Sequence, residues 1–120
     1  MPKIKVMLAE DDATMVSLLK TLLKLEGFDV VAVSADADVP AAVRKEAPDI
    51  LLMDLHLSRQ NGVHILDALR GAADTAALRV VMSSGASAKD ECLAHGANAF
   101  LMKPYMPDDL IKLIKQTVKS

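Results

Sequence analysis

The 120-residue chain has few residues that could staple, stack or anchor it. It has one cysteine, Cys92, so no internal disulfide can form, and a reducing compartment fits. Tryptophan is absent, and the aromatics are Phe28, Phe100 and Tyr105 alone. The core must therefore be aliphatic, and the scarcity of aromatics argues against a base-stacking platform. A net charge of −2 leaves no basic footprint, which argues against direct nucleic-acid binding. No apolar run is long enough for a bilayer span, so no membrane contact is expected. The opening MPKIKVML stops at Glu10, too short for a signal-peptide core, and a cytoplasmic location is expected. No Ser/Gly linker, repeat or charge block divides the chain. Residues 1–120 are read as a single domain with no output domain visible.

The chain does have aliphatic residues in abundance: 52% of it is hydrophobic and 25% charged, the balance of a globular domain. Short apolar runs cover Ile4 to Ala9, Val30 to Val33, Ile50 to Met53, Val80 to Met82 and Ala99 to Met102. They are β-branched or aliphatic and lack clean alternation, as strands covered on both faces do. Amphipathic segments separate them. Met15, Leu18, Leu19 and Leu22 recur at helical spacing, and Glu26-Gly27 closes that helix. Val39 to Glu46 predicts a second helix, stopped by Pro48, and Val63 to Leu69 a third, ended by Gly71. Ser87 with Asp90 predicts a capped start to a fourth. Pro107, Asp108 and Asp109 open a fifth, carrying Leu110, Ile111, Ile114 and Val118. Five β-α units in strict alternation define an open α/β fold, a five-stranded parallel sheet between helical layers. Ligands of such folds sit beyond the carboxyl ends of the strands.

Those ends carry unusual chemistry. Glu10-Asp11-Asp12 follows the first strand, Asp54 ends the third, Ser83-Ser84-Gly85 the fourth and Lys103-Pro104 the fifth. A lone carboxylate at the end of a buried strand is costly unless paired or bound to a cation. Several carboxylates together repel one another, and a hard divalent ion such as Mg²⁺ relieves them and attracts phosphate oxygens. Lys103 can neutralise a phosphoryl oxygen, and a serine hydroxyl can donate to another. Asp54 is then the natural nucleophile, through an aspartyl phosphate.

This constellation resembles the CheY-like receiver domain of two-component response regulators across nearly the whole chain. "VMLAEDDATMVSLLKTLL" is similar to the family's first strand, acid pair and first helix, and "DILLMDLHLSRQNG" to its phosphoacceptor strand. "VVMSSG" resembles its hydroxyl strand and "GANAFLMKPY" its Lys-Pro segment. The resemblance implies the flavodoxin-like (βα)5 three-layer sandwich with strand order 2-1-3-4-5. It puts the acid pair on Glu10 and Asp11, 43 residues before Asp54 in the case of Asp11, with Asp12 outside the pair. It implies Mg²⁺ on Asp11, Asp54 and the backbone carbonyl of His56, with Glu10 helping through water. It implies phosphoryl transfer to Asp54 from a phosphohistidine on a sensor histidine kinase or phosphotransfer protein. Ser84 is the preferred hydroxyl, Lys103 the cation, and Ser84 with Phe100 the switch pair. The domain then catalyses only its own phosphorylation and dephosphorylation. Its downstream protein target, unidentified, docks on the fourth helix, fifth strand and fifth helix. The Lys103-Pro104 peptide is often cis in the family, and His56 is a candidate for tuning dephosphorylation. His64 and His95 are read as solvated helix positions and the methionines as core filler.

Three departures stand out. Ser58 replaces a common proline four residues after the acceptor, which should loosen that loop. Asp36-Ala37-Asp38 replaces the usual start of the second helix. Ser84 to Lys103 is about three residues shorter than is common, close to one helical turn. Other readings are a flavodoxin-like FMN carrier, disfavoured by three acids where a phosphate cradle belongs, and an Asp-nucleophile phosphohydrolase, disfavoured by His56. A degenerate receiver that only binds partners is the principal alternative.

Overall fold

The computed structural model describes residues 3–119. Asp12 starts the first helix: its carboxylate accepts from the Thr14 and Met15 amides, the donors that a helix start leaves without partners. Asp38 does the same for the second helix through the Ala41 amide, with Pro40 in the first turn, where its missing N–H costs nothing. The elements run β1 (Lys5–Ala9), α1 (Ala13–Leu25), β2 (Asp29–Val33), α2 (Val39–Glu46) and β3 (Ile50–Asp54). A small pair follows, β4 (His56–Leu57) and β5 (Gln60–Asn61), then α3 (Gly62–Gly71), β6 (Arg79–Ser84), α4 (Lys89–Ala94), β7 (Ala99–Met102) and α5 (Pro107–Val118).

The main sheet has the order β2-β1-β3-β6-β7, all parallel, which is 2-1-3-4-5 when its five strands alone are counted. Strand β3 is central, and all five of its residues are buried. Alternation along the strands divides the core in two. Met7, Ala9, Leu51, Met53, Val80 and Met82 pack with α2, α3 and α4. Val6, Leu8, Ile50, Leu52 and Val81 pack with α1 and α5. The three-layer α/β sandwich expected from the sequence is the fold.

The start of α4 differs from expectation. Its N-cap is Ala88, and no side chain caps it, so the Ser87–Asp90 arrangement does not form. The helix has six residues and begins at Lys89, beyond reach of a box anchored on Ser87. The methionines also divide: Met7, Met53 and Met82 are fully buried, whereas Met102 and Met106 are 45% and 66% exposed.

Candidate functional site

Because the five strands are parallel, their carboxyl ends share one edge. The register sets Ala9 beside Met53, Asp54 beside Ser83 and Ser84 beside Met102, so Glu10, Asp54, Ser84 and Lys103 arrive at that edge together. The Lys103 ammonium donates to Asp54 Oδ2 at 2.7 Å and to both Glu10 carboxylate oxygens at 2.9 Å. The Glu10 and Asp54 side chains are only 5% and 12% exposed, so this triad is largely withdrawn from water. Burial raises Glu10 above the ordinary carboxylate range, and the Asp54 charge adds to that, against the lowering hydrogen bond from Lys103. Burial alone would depress Lys103, but hydrogen bonds and charge from Asp54 and Glu10 outweigh it and hold the ammonium above its usual value. Tyr105, packed beside them, is pushed up to about 12 by burial and then by Glu10.

The other oxygen of Asp54, Oδ1, accepts from the His56 amide at 3.2 Å. Ser84 is 1% exposed, and its hydroxyl oxygen accepts from the Ala86 amide at 3.0 Å. Asp11 is not part of the triad: its carboxylate accepts from the Ser58 amide at 3.0 and 2.9 Å. Ser58 has φ 54°, a left-handed backbone in the turn between β4 and β5. The loop that lacks the common proline is thus tied to the acid pair. The His56 ring is exposed. Phe100 is half-buried and packs against the α2–α3–α4 side of the core. The Lys103-Pro104 peptide is cis.

Three features escaped the sequence reading. A Cβ on Gly62 would meet Asp54 O at 2.8 Å and Leu55 Cα at 2.9 Å, so the chain after the acceptor strand closes on a position that admits no side chain. Gly62 eight residues past Asp54 was visible in the sequence, but not the backbone it faces. Ser83 is fully buried, and its hydroxyl has no hydrogen-bond partner among the described residues. His95 is exposed, as expected, but it caps the end of α4, and its Nδ1 lies 2.7 Å from Asp67 Oδ1.

Among the described residues, no group of three or more His, Cys, Asp or Glu is placed to hold a metal ion. Mg²⁺ asks for less: one or two carboxylates, with waters and ligand oxygens completing its shell. Glu10, Asp54 and the neighbouring Asp11 offer hard oxygens only, a donor set that suits Mg²⁺ and not a soft metal. No helix among the described residues is long and apolar enough to cross a membrane.

A (βα)5 sandwich that gathers acids, a hydroxyl and an ammonium at one sheet edge is a receiver-type architecture. Residues 6–115 match the response regulator receiver domain family, and the chain belongs to that family, the phosphoacceptor module of two-component signalling rather than a classical enzyme. It is 30% identical over 115 residues to the transcriptional regulatory protein CpxR of Escherichia coli K12, covering 96% of this chain and 49% of CpxR. It is 29% identical over 117 residues to the DNA-binding response regulator MtrA of Mycobacterium tuberculosis H37Rv, covering 96% of this chain and 50% of MtrA. The chain thus spans about half the length of the curated relatives it matches. Among solved structures, the chemotaxis response regulator CheY4 of Vibrio cholerae superposes with a TM-score of 0.87 at 21% identity, over 97% of this chain and 99% of that one. NtrX of Brucella abortus gives a TM-score of 0.85 at 25% identity, over 98% of this chain and 27% of that one.

Proposed function

We propose that Asp54 accepts a phosphoryl group from a phosphohistidine donor, a sensor histidine kinase or a phosphotransfer protein. The observation that carries this reading is the Lys103 ammonium held between the two buried carboxylates, Glu10 and Asp54. An oxygen of Asp54 attacks phosphorus, the P–N bond breaks, and its electron pair returns to the imidazole nitrogen. Lys103 pairs with the acceptor carboxylate and balances charge on the transferring group. The Ser84 hydroxyl, which here only accepts, has its proton free to donate to a phosphoryl oxygen. Asp11, Asp54 and the backbone carbonyl of His56, with Glu10 helping through water, would hold Mg²⁺, which would supply the positive charge that draws a phosphate into an acidic cleft. Phe100 is the residue that responds as Ser84 is drawn toward the new anion.

The same groups serve dephosphorylation: water attacks phosphorus, the P–O bond to Asp54 breaks, its electron pair returns to the carboxylate and inorganic phosphate leaves, so the domain acts only on itself. Its output is a population shift that a partner reads on α4, β7 and α5. Leu93, Met102 and Met106 are exposed apolar side chains on that side. The net charge of −2 supports a protein target for the domain itself rather than nucleic acid. A cytoplasmic setting and one receiver unit over residues 1–120 complete the reading.

Incubation with acetyl phosphate, with and without Mg²⁺, followed by intact mass measurement, tests it. One phosphoryl adduct is expected, dependent on Mg²⁺ and missing from Asp54→Ala. An adduct of equal yield in that variant overturns the assignment of Asp54. No adduct under any condition leaves the degenerate, binding-only receiver.

A further inference from the structure

The two ends of α4 are held in opposite ways. The carboxyl end is fastened to α3 and to the sheet. Arg70 on α3 donates through Nε to Gly96 O at 2.9 Å and through one terminal nitrogen to Asn98 Oδ1 at 3.0 Å. Its other terminal nitrogen reaches Ala76 O at 3.2 Å. Asn98 Oδ1 also accepts from the Val80 amide at 2.8 Å, and the Asn98 amide donates to Val80 O at 2.8 Å. Gly96 has φ +105°, and a Cβ there would lie 3.0 to 3.3 Å from Nε, Cγ and Cδ of Arg70, so the arginine stem packs closely against the turn. The Asp67–His95 contact is a second tie between α3 and the same end. Cys92, fully buried, plugs the middle of the helix into the core.

The amino end has no such hold. Its N-cap, Ala88, provides no capping side chain. What leads into it is a ladder that starts in the site: Ser84 Oγ takes the Ala86 amide at 3.0 Å, Ala86 O takes the Ala88 amide at 2.9 Å, and Ala88 O takes the Cys92 amide at 2.9 Å. A displacement of the Ser84 hydroxyl therefore reaches the first turn of α4 in two steps and then meets the buried Cys92. A helix of six residues has too few internal hydrogen bonds to transmit the shift as a rigid rod.

We propose that α4 is a half-anchored helix. Phosphorylation rearranges residues 85–91, while residues 92–98 stay fixed by the Arg70 and Asp67 ties. Arg70 is thus a positioning residue that confines the switch to the first turn, and the partner reads local reordering there rather than rotation of the whole helix. This rests on phosphorylation at Asp54, as proposed above.

Residue-resolved amide hydrogen exchange by NMR, before and after acetyl phosphate with Mg²⁺, tests the proposal, with the adduct followed by mass on the same sample. Exchange at residues 86–91 is expected to change about tenfold and at 93–98 less than about twofold, the contrast between a locally opening unit and its fixed neighbour. In Arg70→Met, which keeps the stem against Gly96 but removes the guanidinium bonds, the change should spread through residue 98. Asp67→Asn, which keeps shape and removes the charge opposite His95, should show a smaller spread and serves if the arginine variant folds poorly. Equal changes on both sides of Cys92 in the unaltered chain, with the adduct present, overturn the half-anchored helix and leave Asp54 chemistry standing. Spread that is the same in the variants as in the unaltered chain overturns the role of Arg70. A sample that forms no adduct overturns the phosphorylation reading and this inference with it.

Discussion

Replacing Lys103 by methionine keeps the stem and removes the charge that Glu10 and Asp54 share. Both acids are then left in a site where their side chains are 5% and 12% exposed. Stripping one partner from a buried ion pair costs about 3–5 kcal/mol, because the remaining charge is neither solvated nor paired. Glu10 can escape part of this by taking up a proton, so a net loss of about 2–3 kcal/mol is expected near neutral pH. The pH dependence follows from the direction of the Glu10 shift. Unfolded, Glu10 titrates near its ordinary 4.5; folded, it titrates higher. Between those values the folded chain holds a proton that the unfolded chain has shed. The Glu10 contribution is therefore complete below 4.5 and is lost as pH rises through the folded value. Lys103→Met deletes a lowering hydrogen bond and widens that window upward, so the penalty grows from pH 5 to pH 8. Urea unfolding followed by far-ultraviolet circular dichroism in EDTA at both pH values measures it. Adding Asp54→Asn should recover a large part of the loss, since one of the two stranded charges disappears. A penalty identical at pH 5 and pH 8, with no recovery in the double variant, refutes the argument that the triad is held by charge.

Two further substitutions probe the surroundings. Ser83→Ala removes a buried hydroxyl that has no partner among the described residues, so the chain should gain about 1 kcal/mol in urea unfolding; a loss of similar size would mean the hydroxyl is satisfied in solution. Gly62→Ala forces a methyl to within 2.8 Å of Asp54 O and 2.9 Å of Leu55 Cα, and should cost about 2–3 kcal/mol, with slowed adduct formation as β3 is pushed. A neutral Gly62→Ala in thermal melts would show that the close approach relaxes freely.

The main strands were legible because both sides of each are covered: Ile50 to Met53 reads as an unbroken apolar run, and Ile50–Asp54 is the central strand. Helix starts were legible where a short acid or a proline precedes the periodic residues, as at Pro107. The Ser87–Asp90 signal failed because capping depends on where the chain turns, and the first helical residue is Lys89, with Ala88 at the cap. The site was legible as a set of residue types at successive strand ends, since a parallel sheet brings such ends to one edge. Its internal wiring was not. The Lys103 ammonium spans 93 positions to reach Glu10, and Asp11 turns to the Ser58 amide 47 positions away. No local pattern records such pairings. His95 looked like an ordinary helical surface residue because its partner, Asp67, lies on another helix.

The sheet itself has a consequence for how such a domain can diversify. By strand alternation Asp54 shares its side with Ile50 and Leu52, toward α1 and α5, whereas Met82 and the half-buried Phe100 belong to the opposite layer. The acceptor and the aromatic proposed to respond to it thus lie on separate storeys, joined at the rim by Ser84, while α5, one of the proposed docking elements, lines the acceptor's own storey. Repacking confined to the α4 storey can proceed without disturbing the acids, whereas a change on α5 reaches both.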